Sequence, residues 1–162
     1  MILIALGSNQ PGPWGSPEET VARALASLAT GGLRLVRASR RLTSAPFGRL
    51  NQPPFVNAAA RIETHLPPEG LMRRLHAIEH AAGRKRIQRW GPRSLDLDLL
   101  DYHGLIRAWP RRPVLPHPGI AARIFVLKPV AEIAPGWKHP VTRLSATQML
   151  RRLDPHGEGA EI

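Results

Sequence analysis

RWGPRSLDLDLL, residues 89–100, reads as a basic loop running into a strand in which two aspartates interrupt an apolar series. Successive side chains of a strand alternate between faces, so Leu95, Leu97 and Leu99 share one side while Asp96 and Asp98 share the other. The two carboxylates are therefore neighbours, with α-carbons about 6.6 Å apart at a rise of roughly 3.3 Å per residue. At an effective dielectric of about 20, two such charges repel by about 2.5 kcal/mol. A positive partner is required, and Arg84, Arg86, Arg89 and Arg93 stand immediately upstream.

The strand closes a series of elements that begins at the first residue. Met1 to Leu6 is an apolar strand, and the turn GSNQPGPWGSP follows it. Ser16, Pro17 and Glu19 then form a capping box that starts a helix. Val21, Leu25 and Leu28 are its apolar stripe, and Gly31-Gly32 ends it. Residues 33–42 read as a second strand, and a loop over 43–54 leads to a third. In that third strand Val56, Ala58, Ala60 and Ile62 face one side, while Phe55, Asn57 and Ala59 face the other. A second helix spans 68–82 with Leu71, Leu75 and Ile78 inward and Gly83 as its stop.

The order β-α-β-β-α-β predicts an α+β, ferredoxin-like domain: a mainly antiparallel sheet with helices packed on it and C-terminal additions. Beyond the aspartate strand the pattern predicts a hairpin return at Leu105-Ile106 and a Pro-rich loop over 107–118. A short helix over 119–124 and a final helix over 145–153 complete the reading. The 162 residues fit one domain, with 154–162 as a tail.

There is no cysteine, which excludes disulfides and thiolate metal sites and suits a reducing cytoplasm. The opening MILIAL lacks a basic leader and is too short for a signal core or a membrane span. The formal net charge is +11, and all but Lys85, Lys128 and Lys138 of the 23 basic residues are arginine. Arginine makes forked contacts with phosphate oxygens, so a polyanionic partner is expected: nucleic acid or a small phosphorylated compound.

An Asp-x-Asp pair amid arginines admits several chemistries. It can be an exposed, salt-bridged sheet face, or it can bind Mg²⁺ together with phosphate, since that ion prefers oxygen ligands and keeps part of its water. Nucleotide-sugar transferases and metal nucleases can be built around the same pair. The chain has no G-x-x-x-x-G-K-[ST] loop, so a nucleotide would be held by side chains.

RWGPRSLDLDLL, together with ALGSN at 5–9, NQPPFVNAA at 51–59 and LPHP at 115–118, resembles the 6-hydroxymethyl-7,8-dihydropterin pyrophosphokinase family of folate biosynthesis. The resemblance runs from about residue 2 to residue 135. It implies transfer of diphosphate from ATP to the hydroxymethyl group of a reduced pterin, leaving AMP, with Asp96 and Asp98 holding two Mg²⁺ ions.

It further implies that Arg84 and Arg93 engage the triphosphate and the transferring group, and that Trp90 closes over the site and contacts both substrates. Phe55 and Phe125 would sandwich the pterin and Asn57 would read its edge, with Ser44, Ala45 and Phe47 contributing from the preceding loop. For ATP the pattern falls on His76, Glu79, Arg86, Leu99, Arg112, His117 and Arg123. His76 stands where glutamine is frequent in the family, and Pro118 stands where an aromatic is frequent.

The competing class is a nucleic-acid-binding module, suggested by the net charge and by RASRR and RKRIQR. Such a module has no use for paired aspartates, and only 5% of residues are aromatic, too few for clustered stacking platforms. The partners that the resemblance implies are ATP and the pterin, with no nucleic acid and no membrane expected. A cytoplasmic monomer is expected.

Overall fold

Complete burial of Ile2–Ser8 (β1) explains why its sequence is apolar at odd and even positions alike. It lies inside a sheet that is covered on both faces. The computed structural model describes residues 1–44, 53–83 and 94–154. Within them, β1 is followed by helix α1 (Pro17–Ser27), strands β2 (Leu33–Ala38), β3 (Leu42–Ser44) and β4 (Phe55–Thr64), helix α2 (Pro68–Ala81) and strand β5 (Asp96–Tyr102). Helices α3 (Ile124–Ile133) and α4 (Ala146–Leu153) complete the series.

The sheet order is β2-β4-β1-β5, with β3 paired to the free half of the same edge of β4, and every one of these pairings is antiparallel. This is the α+β arrangement expected from the element order, with one strand more. The extra strand comes from a break in the stretch expected to be continuous over 33–42. Ser39 bridges that break: its N–H donates to the Ala59 carbonyl, and its hydroxyl accepts the Ala59 N–H at 2.8 Å.

Side-chain alternation sorts the sheet into two cores. Ile2, Ile4 and Leu6, the even residues of β4, and Leu95, Leu97 and Leu99 meet α1 and α2 through Val21, Leu25, Leu28, Leu71, Leu75 and Ile78. Burial of each such leucine contributes about 1.5–3 kcal/mol. Ser16 accepts the Glu19 N–H and Glu19 reaches back to the Ser16 N–H, the capping box expected for α1.

On the opposite face Leu3, Ala5, Ala59 and Leu100 pack under Val126, Leu127, Val130 and Ile133 of α3, Trp137, and Met149 of α4. Helix α3 was not expected from the sequence, because Pro129 sits inside it and reads locally as a helix breaker. The expected short helix over 119–124 is a 3-10 turn, Ile120–Ala122, leading directly into α3. The expected hairpin return is a single bridge between Arg107 and Leu115.

Candidate active site

The face of the sheet under α3 changes character toward the C-terminal end of β1. Leu3 is followed on that face by Ala5 and then Gly7, so the floor drops away. Strand register aligns two rows across it: Asn57, Gly7 and Asp96 at one level, and Ala59, Ala5 and Asp98 at the next. With strands about 4.8 Å apart, the α-carbons of Asn57 and Asp96 stand about 10 Å apart with Gly7 between them. A β-carbon on Gly7 would meet Asn57 Oδ1 at 3.4 Å and Phe55 Cδ1 at 3.5 Å, so both side chains lean over the glycine. The result is a flat-bottomed slot with an amide and a phenyl ring at one end and two carboxylates at the other.

Asp96 and Asp98 are half-buried on this shared face, as the alternation predicts. Asp98 is approached by His117 Nε2 at 3.7 Å and by the Arg123 guanidinium, Nη1, at 3.9 Å. Both distances are too long for direct hydrogen bonds.

His117 is held by its own turn. Its backbone N–H donates to the Leu100 carbonyl at 2.9 Å, and its Nδ1 accepts the Gly119 N–H at 3.0 Å. The neutral ring therefore carries its proton on Nε2, facing Asp98. Burial, and secondarily the Arg123 guanidinium, push its pKa below the ordinary histidine value, against an opposing pull from Asp96. Gly119 makes room for Arg123, since a β-carbon there would lie 2.9 Å from the guanidinium carbon.

The opposite edge of β5 is closed from α2. Glu79 is buried, and its Oε2 accepts the Leu97 N–H at 2.9 Å, which fixes the edge strand between the two aspartates. Leu99 has its side chain in the first core, so only its backbone is available to a ligand. His76 is exposed three residues earlier on the same helix. Arg112 is exposed on the Pro-rich loop, its guanidinium 4.7 Å above the Trp109 ring. Phe125 opens α3 and packs against the second core, on the same side of the sheet as Phe55 and Asn57. Ser44 forms the last pair of β3 with Phe55. Ala45, Phe47, Arg84, Arg86, Trp90 and Arg93 lie outside the described residues.

A family model described as 7,8-dihydro-6-hydroxymethylpterin-pyrophosphokinase matches residues 3–135, which include both rows and the His117–Arg123 turn. The chain belongs to this pyrophosphokinase family. It is similar to the 2-amino-4-hydroxy-6-hydroxymethyldihydropteridine pyrophosphokinase of Methylorubrum extorquens, 41% identical over 155 residues that cover 95% of this chain and 94% of the relative. The enzyme of the same name from Pseudomonas aeruginosa is 41% identical over 140 residues, covering 86% and 83% of the two chains. That from Synechocystis is 36% identical over 153 residues, covering 94% and 75%. The chain is thus an enzyme, a pyrophosphokinase of folate biosynthesis.

Two residues that shape this candidate site, Gly7 and Gly119, carried no assigned role in the sequence reading. Gly7 was visible within ALGSN, but its importance depends on which residues of β4 and β5 flank it. Glu79, expected at the nucleotide, accepts the Leu97 N–H of β5. No helix among the described residues is long and apolar enough to cross a membrane.

Proposed function

We propose that the chain transfers an intact diphosphate from ATP to the hydroxymethyl oxygen of 6-hydroxymethyl-7,8-dihydropterin, releasing AMP. The observation that carries this reading is the row Asn57–Gly7–Asp96, which sets a flat slot one strand away from a pair of carboxylates. A reduced pterin is planar with a polar edge, and it suits Phe55 and Phe125 on its faces and the Asn57 amide at its edge. Ser44, Ala45, Phe47 and Trp90 are assigned to the same substrate by the family resemblance.

The donor set fits Mg²⁺. Asp96 and Asp98 offer two hard carboxylate oxygen donors side by side on one face. Such a pair suits an ion that takes its remaining ligands from phosphate and water. Two Mg²⁺ ions held by this pair would neutralise the triphosphate and favour the in-line geometry of attack. The protein groups supply the rest. His117, neutral above its lowered pKa, presents Nε2–H to a phosphate oxygen, and Arg123 adds a fixed positive charge beside Asp98.

Leu99 lies on the edge strand whose neighbouring Leu97 N–H faces outward, and by alternation its own backbone faces the same edge, where an adenine can pair with it. Glu79 holds that edge through the Leu97 N–H, while His76 and Arg112 are assigned to the nucleotide by the family resemblance. Arg84, Arg86 and Arg93 are assigned to the phosphates, with Arg84 and Arg93 at the transferring group. Every group in this scheme comes from one chain, so a monomer suffices, with no nucleic acid or membrane; a cytoplasmic, single-domain protein with a tail over 154–162 remains the reading.

The test is AMP release from ATP with the pterin present or omitted, with and without Mg²⁺. AMP formed only when all three are present is expected. Tight, steeply salt-dependent oligonucleotide binding without AMP release would replace this reading with that of a nucleic-acid module.

A further inference from the structure

Asp101 is a buried acid with no part in the chemistry above, only 2% exposed and three residues beyond Asp98. Both of its carboxylate oxygens accept hydrogen bonds. Oδ2 takes the indole N–H of buried Trp137 at 2.7 Å, and Oδ1 takes the Gly104 N–H at 3.0 Å. It also stands where the β1–β5 ladder slips: Ile4 pairs with Leu99 but Leu3 pairs with Asp101, which leaves Leu100 as the extra residue of a bulge. The carbonyl of that extra residue is the one that accepts the His117 backbone N–H. Bulges re-aim groups in this way beside active sites.

We propose that Asp101 is a positioning residue of the site: anchored on Trp137 and Gly104, it holds the Leu100 bulge in place and thereby sets His117 against Asp98. The chain of contacts is continuous. Trp137 fixes Asp101, Asp101 ends the bulge, Leu100 holds the His117 backbone, and the Nδ1 bond to Gly119 turns Nε2 toward Asp98. Asparagine cannot replace the acid, because both partners are donors and its NH₂ would face one of them. The role assigned to the His117–Asp98 pair rests on the proposed diphosphate transfer; the tether itself does not.

The experiment uses the full chain with Asp101→Asn and, as the milder variant, Trp137→Phe, which removes the donor and keeps an aromatic ring. Amide hydrogen exchange is compared at His117 and at Leu75 of α2, alongside KM for MgATP and for the pterin. The expected result is exchange at His117 faster by about tenfold with Leu75 unchanged. KM for MgATP should rise by about tenfold, as outer-shell partners of metal sites do, with KM for the pterin within about twofold. Equal acceleration at both amides, or unchanged exchange at His117 in folded Trp137→Phe, would overturn the proposal and leave Asp101 as a fastener of the C-terminal segment. Should the wild-type chain release no AMP, the proposed reaction fails, while the exchange data still decide the tether.

Discussion

Adding a single methyl group at Gly7 separates the slot from the rest of the molecule. The backbone of Gly7 is not in the left-handed region, and a β-carbon there would sit 3.4 Å from Asn57 Oδ1, 3.5 Å from Phe55 Cδ1 and 3.9 Å from the Val56 carbonyl. These are ordinary van der Waals distances, so Gly7→Ala folds without forcing its neighbours apart. By restricting the unfolded chain it stabilises by about 0.4–1 kcal/mol. For a chain of this size that raises Tm by roughly 1–4 °C. The same methyl stands up from the floor between Asn57 and Asp96, where the proposed reaction would seat the pterin ring. A ring lifted off that floor loses its directed bonds to the Asn57 amide, a cost of about 1–3 kcal/mol for groups left unsatisfied in a buried site. Since each 1.4 kcal/mol is a factor of ten, KM for the pterin should rise about 5- to 150-fold, while KM for MgATP stays within about twofold. Steady-state AMP release with each substrate varied in turn reads both constants, and a melting curve reads the fold. A normal pterin KM in a stably folded Gly7→Ala chain would show that the ring does not lie on this floor.

Asp96→Ala and Asp98→Ala should each lower turnover by at least about a thousandfold, because the phosphate charge then loses its counter-ions. The fold should hold, since both side chains are half-exposed on the sheet face; substantial turnover in either variant would dismiss the carboxylates as the metal seat. His117 has its pKa lowered by burial and by Arg123, so the unfolded chain binds its proton first as pH falls. Its contribution to stability is present above about pH 6.5 and is lost as pH drops through the folded-state value. Urea unfolding between pH 7.5 and 5 should therefore show a shallower loss in His117→Gln than in wild type, and parallel curves would contradict the assignment. Ser16→Ala removes the hydroxyl that accepts the Glu19 N–H and should cost about 0.5–2 kcal/mol without changing either KM. A changed KM would mean that α1 communicates with the slot.

The helical layer formed by α1 and α2 was legible because periodicity is a local property: Val21, Leu25 and Leu28 on one helix and Leu71, Leu75 and Ile78 on the other all reach the first core. The second layer was not legible, because Pro129 disguised α3 and because a strand buried on both faces looks like any apolar run. The aspartate pair was legible for the same local reason, two residues apart on one strand, and the family resemblance supplied the chemistry proposed for it.

By itself, then, the sequence determined that Asp96 and Asp98 share a face and that Phe55 and Asn57 share another, since alternation needs no knowledge of the partner strand. Only the tertiary structure decided that these are one and the same face, with Gly7 between them. Register between strands far apart in the sequence is set by the packing of two cores at once, and a slip of one residue would turn every one of these side chains to the other side.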